Sequence, residues 1–444
     1  MKEFIEAFKA LRHAPFALWV VIFAYSMDFM AYLGILPLMK AYLGTDIGIR
    51  PEYASTWVSV FTGSLTLFML FVGKATEGKL GIRKSILLAL SLSAFGRVIY
   101  SSAPFMGGAT SIAISLLIVS LGEGIIQPVA YAGVKRYTDE KNGPMGYAML
   151  YALFNLAAAL TGPMSAHVRT SFDESHKAGT SSLTGFQAVN WVCTMVTIAT
   201  IVAFFFMMSK KTEAAVVRSD VEDKSSGGMG AIFKDKRFLF FIFALLPVRT
   251  LFAHQWLTMP EYVLRSYPQD VADRMEWLVD SINPIIIFFG VPTITAFTKK
   301  YHVLTMMIIG SGVSAASTFL LCTGANTSLL ITYFVIFSIG EALWSSRFYE
   351  YAAELAPPGK TAQYMGVASL PWFVAKTTTG FYSGFLLEKY VPKEGAKNGE
   401  MMWLIYGIIA MASPILLLSA RKWVLAGMQP KAKAEPAAEE AAAA

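Results

Sequence analysis

Charge is scarce in this sequence. Of its 444 residues only 15% are Asp, Glu, Lys or Arg, while 55% are hydrophobic and 14% aromatic. Soluble domains carry roughly a quarter charged residues, so a water-soluble chain of this length is excluded. Cysteine is nearly absent as well. Cys193 and Cys322 each sit in an apolar run, which leaves no disulfide framework and no zinc spacing. The chain lacks a Gly-rich phosphate cradle followed by Lys-Ser/Thr, so ATP-driven pumping has no support. It also lacks a nucleophile constellation and a metal cluster. No enzyme activity, cofactor or metal is therefore expected. What the sequence does contain is apolar runs of about 20 residues, the length that crosses a bilayer as a helix. The expected fold class is an all-α polytopic membrane protein. Its net charge of +7 belongs to short loops between spans and does not point to nucleic acid.

Twelve spans are expected near 16–38, 54–74, 82–104, 109–135, 145–167, 186–208, 237–262, 275–298, 302–322, 327–353, 363–387 and 401–420. The first follows a basic segment as a signal peptide would. It is too long for one, contains Asp28 and has no cleavage site, so it reads as an uncleaved helix. Residues 210–236 read as a flexible linker and 429–444 as a disordered tail. About 24 of the 37 Lys and Arg fall on the side of the termini and linker and about 9 on the other. Positive-inside bias then places both termini in the cytoplasm of a multi-pass plasma (bacterial inner) membrane protein.

The chain also repeats itself. Ser120-Leu-Gly122-Glu123 returns as Ser338-Ile-Gly340-Glu341, an offset of 218. Gly73 returns as Gly290, and Met145-Gly146 as Met365-Gly366. Ordered landmarks at nearly one offset imply two pseudo-symmetric six-helix halves, 1–209 and 237–428, joined by the linker. That is the major facilitator arrangement, with a cavity at mid-depth between the halves.

Ionisable groups inside spans mark the candidate site, because each costs roughly 2.5–3.5 kcal/mol unless paired or wetted. Asp28, Glu123, Arg249 and Glu341 fall near mid-depth; Arg97, Arg347, Glu350 and Lys376 fall nearer the ends. Tyr25, Asp28 and Tyr32 share one helix stripe, and Glu123 and Gln127 stand four apart. Asp28, Glu123 and Glu341 are candidate proton carriers, with structural ion pairing the alternative. His254 suits proton exchange by its ordinary pKa, although a lone histidine in a helix is more often a packing residue. Arg347 and Glu350 are expected to hold span ends together. Glu77 opposite Arg83 and Lys84 reads as an inner-gate latch, or else as a charged turn.

These residues resemble those of the proton-coupled oligopeptide transporters, a branch of the major facilitator superfamily. The resemblance rests on Leu80-Gly81 before Arg83, Gly122-Glu123 through Gln127-Pro128, Phe154-Asn155, Ile282-Asn283-Pro284, and Gly340-Glu341 followed by Ala356-Pro357. It implies that Glu341 meets a peptide amino terminus. Other signatures depart from the family pattern. The span 1 arginine is missing, the matching positions being Tyr25, Asp28 and Phe29. Gln127 stands where the family has lysine. Two extra linker helices found in many bacterial members cannot fit in residues 210–236.

The expected function is proton-coupled symport of a small polar or zwitterionic solute, such as a short peptide, by a monomer embedded in lipid. Arg249 or Arg97 would meet a substrate carboxylate. Asn155, Asn283 and Gln127 would line the cavity, with Tyr25, Tyr32, Trp256, Trp344 and Trp372 as an aromatic wall. Export of lipophilic or cationic compounds is the alternative, since acids remain where basic anchors are lost. A non-transporting sensor or scaffold has no use for unpaired buried acids.

Overall fold

A computed structural model describes residues 13–75, 80–139, 141–214, 232–272, 278, 282–357 and 360–426. Glu77 and the proposed tail lie outside these residues, as does most of the linker. All secondary structure among the described residues is helical. Helices fall on each of the twelve expected segments: α1 Phe16–Ile35, α2 Pro51–Ala75, α3 Gly81–Ser102, α4 Gly108–Tyr137, α5 Gly143–Lys177 and α6 Gly185–Met207. After them come α7 (Lys236–Ala244 with Leu246–Leu257), α8 Ile282–Thr298, α9 Val303–Ser317, α10 Thr327–Glu354, α11 (Thr361–Ala368 with Leu370–Tyr390) and α12 Gly399–Ser419.

Local sequence sets the ends and breaks. Thr184, Asn326 and Asn398 cap α6, α10 and α12 by accepting from the backbone N–H three residues on. In α7 and α11 the helix is interrupted just before Pro247 and Pro371, each within the first two positions of the following segment. Proline has no N–H to donate and restricts the residue before it, so one helix stops and another starts. Helix α5 runs ten residues past the expected 167, because nothing between His167 and Lys177 breaks it. At 35 residues it is about 52 Å long and outreaches a hydrocarbon core of about 30 Å.

Nine helices among the described residues are long and apolar enough to cross a membrane. The exceptions are α2, α8 and α11. Hydroxyl residues Ser55, Thr56, Ser59, Thr62, Ser64 and Thr66 dilute α2, α8 has only 17 residues, and α11 is broken at Ser369 and carries Lys376.

The packing repeats with the helix order. Helix α1 packs on α5 and α6, α2 on α4, and α3 on α4 and α6. Six helices later, α7 packs on α11 and α12, α8 on α10, and α9 on α10 and α12. The contacts between the two sets obey the same symmetry, α5 against α8 and α11 against α2. Glycine permits close approaches at equivalent places. A Cβ on Gly122 would lie 2.8 Å from the Ala89 carbonyl oxygen of α3, and one on Gly340 would lie 2.9 Å from the Gly310 carbonyl oxygen of α9. Small residues at such crossings let backbones meet without side chains between them.

Candidate functional site

Three layers can be followed inward from the bundle end at Met208 and Lys236, here the linker end. At that end Lys135, in the last turn of α4, donates from Nζ to the carbonyl oxygens of Ala353 and Ala356, both at 3.0 Å. Both carbonyls lie at the end of α10, where a cation is favoured by the helix dipole, and that of Ala353 also accepts from the Ala356 N–H at 3.2 Å. One turn further in, the rings of Tyr131 and Tyr349 stack with centroids 4.6 Å apart. Tyr25, Phe29, Tyr151 and Phe154 continue this aromatic layer.

Above the tyrosines lie the buried charges, in two separate groups. The first is enclosed by the first six helices. Arg97 on α3 meets Asp28 on α1 at 2.7 Å and Glu123 on α4 at 2.5 Å, and it also bonds Thr197 on α6. Arg97 and Asp28 are 1% and 0% exposed, and Asp28 Oδ2 has no hydrogen-bond partner. One guanidinium therefore serves two carboxylates, which leaves an uncompensated negative charge whenever both acids are ionised. Low dielectric makes such a surplus expensive.

The second group sits where the two sets of helices touch. Glu341 on α10 is 4% exposed. Its Oε1 accepts from the Tyr151 hydroxyl of α5, and its Oε2 from Asn283 Nδ2 of α8, both at 2.7 Å. Asn283 also donates to Ser338 at 3.0 Å. On α7, Arg249 is equally buried, with its guanidinium 4.3 Å above the Phe348 ring and 5.6 Å from that of Trp344. It forms no ion pair with Glu341.

The other expected site residues are placed as follows. Tyr25 joins the aromatic layer, Tyr32 stacks on Phe29 beside Phe61, and Asn155 donates to the Tyr151 carbonyl oxygen at 2.8 Å. Gln127 is half-buried on α4, and the side chain of Trp256 is outside the described residues. His254 is not brought to the Glu341 group. It lies 1% exposed among α7, α11 and α12, stacked on Tyr406 at 3.7 Å, with its nitrogens on Thr258 and Tyr382. Arg83 donates to the Met208 carbonyl oxygen at 2.6 Å, within the same set of helices, while Lys84 is exposed. Arg347 and Glu350 pair at 2.7 Å along α10. Arg97, one of two expected carboxylate anchors, is instead occupied by Asp28 and Glu123.

Sequence reasoning missed Tyr131, Tyr349, Lys135 and Tyr151. The repeat held a signal for three of them. Tyr131 and Tyr349 are separated by the same 218 residues as Glu123 and Glu341, and so are Lys135 and the Ala353 it caps.

The sequence profile of the Major Facilitator Superfamily matches residues 18–267, more than half of the chain. The chain belongs to that superfamily. It is thus a multi-pass membrane transport protein. Its fold is similar to a POT family transporter in complex with a thioalcohol-conjugated peptide, with TM-score 0.65 and 16% identity over 92% of this chain and 96% of that one. It is also similar to the proton:xylose symporter XylE, with TM-score 0.68 and 12% identity over 92% and 96%. A third similar fold is the human organic anion transporter TETRAN, with TM-score 0.62 and 14% identity over 90% and 99%. No curated protein matches the sequence. At these identities the likeness is one of fold.

Proposed function

We propose that the chain is a twelve-span, proton-coupled symporter of a small polar or zwitterionic solute such as a short peptide. In this reading both termini are cytoplasmic, the linker end is the cytoplasmic gate, and a monomer works by alternating access between halves 1–209 and 237–428. One observation carries the reading. The buried carboxylate of Glu341 is held jointly by Tyr151 of the first half and Asn283 of the second.

A group in that position senses both halves at once. A solute ammonium that takes over Glu341 displaces the Tyr151 hydroxyl and frees α5 from α10. Protonation achieves the same by another route, since a neutral carboxyl holds its donors less strongly than a carboxylate. Asp28 and Glu123 provide the second proton-sensitive element. With both ionised they grip Arg97 from α1 and α4; with one protonated the grip on α3 relaxes. Buried carboxylates inside spans are functional by default for this reason. That a POT family transporter with a bound peptide conjugate shares the fold supports the substrate class.

The test is reconstitution into liposomes with a trapped pH dye, mixed dipeptides outside and an inward proton gradient. Peptide-dependent acidification that is lost in Glu341→Gln and in Asp28→Asn is the expected result. Folded wild-type protein that moves no protons with any dipeptide overturns the peptide symport reading.

A further inference from the structure

Arg249 and Glu341 stand at the same count from the linker-end termini of their helices. Arg249 is thirteen residues after Lys236, where α7 begins, and Glu341 is thirteen residues before Glu354, where α10 ends, in each case roughly 20 Å of helix at about 1.5 Å per residue. Each is 4% exposed, yet the two do not close into an ion pair.

Among the described residues the surroundings of Arg249 differ from those of the other buried arginines, Arg97 and Arg347. Arg97 is consumed by Asp28, Glu123 and Thr197. Arg347 pairs with Glu350. The Arg249 side chain makes no hydrogen bond or ion pair among the described residues; its Nε is buried without a partner, as are those of Arg97 and Arg347, but those two guanidinium groups each have a carboxylate. It is held by faces alone, against Phe348 and Trp344. Stacking fixes the plane of a guanidinium and leaves its N–H edges free, the geometry that receives an oxyanion through two parallel bonds. A buried cation without a partner is costly, and an aromatic clamp that orients it without satisfying it is a site waiting for an anion.

We infer that Arg249 is the anion anchor of the transport site, and that the solutes carried bear a carboxylate or similar oxyanion together with an ammonium group. This rests on Glu341 as the ammonium site. Both charges of the solute are then held by the last six helices, on α7 and α10. Tyr151 and Tyr25 of the first six contribute neutral walls. The arrangement favours short zwitterions, whose two charges meet one buried group on α7 and one on α10.

The experiment is ligand-induced thermal stabilisation of the purified full-length protein in detergent. The probes are the twenty amino acids and a set of alanine dipeptides, each as free acid and as C-terminal amide, with N-acetylated dipeptides alongside. Free acids are expected to raise the melting temperature of the wild type and amides to fail. Arg249→Gln is expected to weaken acid binding about tenfold or more, as loss of a charged hydrogen-bond partner does. Arg249→Lys keeps the charge, guards against a folding defect and is expected to retain part of the shift. Glu341→Gln is expected to make the free and N-acetylated dipeptides equivalent. If amides stabilise as well as acids, or Arg249→Gln binds acids like the wild type while Glu341→Gln does not, the Arg249 anchor is overturned and the Glu341 reading stands. If folded wild-type protein responds to no probe, both fall.

Discussion

Tyr131 and Tyr349 stack at 4.6 Å across the line between the two halves, and they are copies of one position, 218 residues apart. Four residues further along, Lys135 reaches the carbonyl oxygen of its own copy, Ala353. At the linker end one aromatic stack and one lysine cap join the first six helices to the last six, and the lysine's copy is an alanine.

The Asp28–Arg97–Glu123 group predicts an asymmetry among its own variants. Arg97→Gln leaves two buried carboxylates without their cation and is expected to lose about 3–5 kcal/mol. Asp28→Asn removes surplus charge and is expected to cost much less. Melting curves of the two purified variants against wild type check this. Equal losses, or the reverse order, contradict the charge count.

Gly366 and Gly380 make a paired prediction on α11. A Cβ on Gly366 would press on the Met69 carbonyl of α2, 2.8 Å from its carbon, whereas one on Gly380 meets nothing within 4 Å. Gly366→Ala is expected to lower stability by about 1–3 kcal/mol through overpacking. Gly380→Ala is expected to be neutral or to stabilise by up to about 1 kcal/mol, since alanine is the better helix former. Chemical or thermal denaturation of both variants reads the difference.

His254 is surrounded on its three sides by Tyr406, Thr258 and Tyr382, none of them an acid. Its replacement by Gln is therefore expected to lower the melting temperature while leaving the pH dependence of solute uptake unmoved. A shifted pH profile in folded His254→Gln protein would return this residue to the proton path.

How far the sequence disclosed this arrangement depends on the kind of contact. Helix positions were legible because hydropathy marks most of them: helices occupy all twelve expected segments, and nine are long and apolar enough to cross a membrane. The repeat was legible in Gly122-Glu123 and Gly340-Glu341 because identical crossings demand identical small residues. Spacing could not reveal that Arg97 belongs to Asp28 and Glu123. Those three come from α3, α1 and α4, and pairing between helices leaves no periodic trace. His254 illustrates the same limit, its partners Tyr382 and Tyr406 lying more than a hundred residues away. Tyr151 carried no mark beyond standing one turn before Asn155.

The proposed alternating access requires the linker end to part, and Lys135 ties α4 to the end of α10 there. Nitroxides on Lys141→Cys and Arg421→Cys, both exposed at that end, with Cys193 and Cys322 replaced by Ala, report the separation of the halves by electron–electron double resonance. Two hydrogen bonds from a charged donor are each worth about 1.5–3 kcal/mol, so Lys135→Met is expected to raise the open population by about tenfold or more. The account predicts a short distance dominant in the wild type and a second, longer one gained in Lys135→Met. A single distance, unchanged between the two proteins, would contradict it.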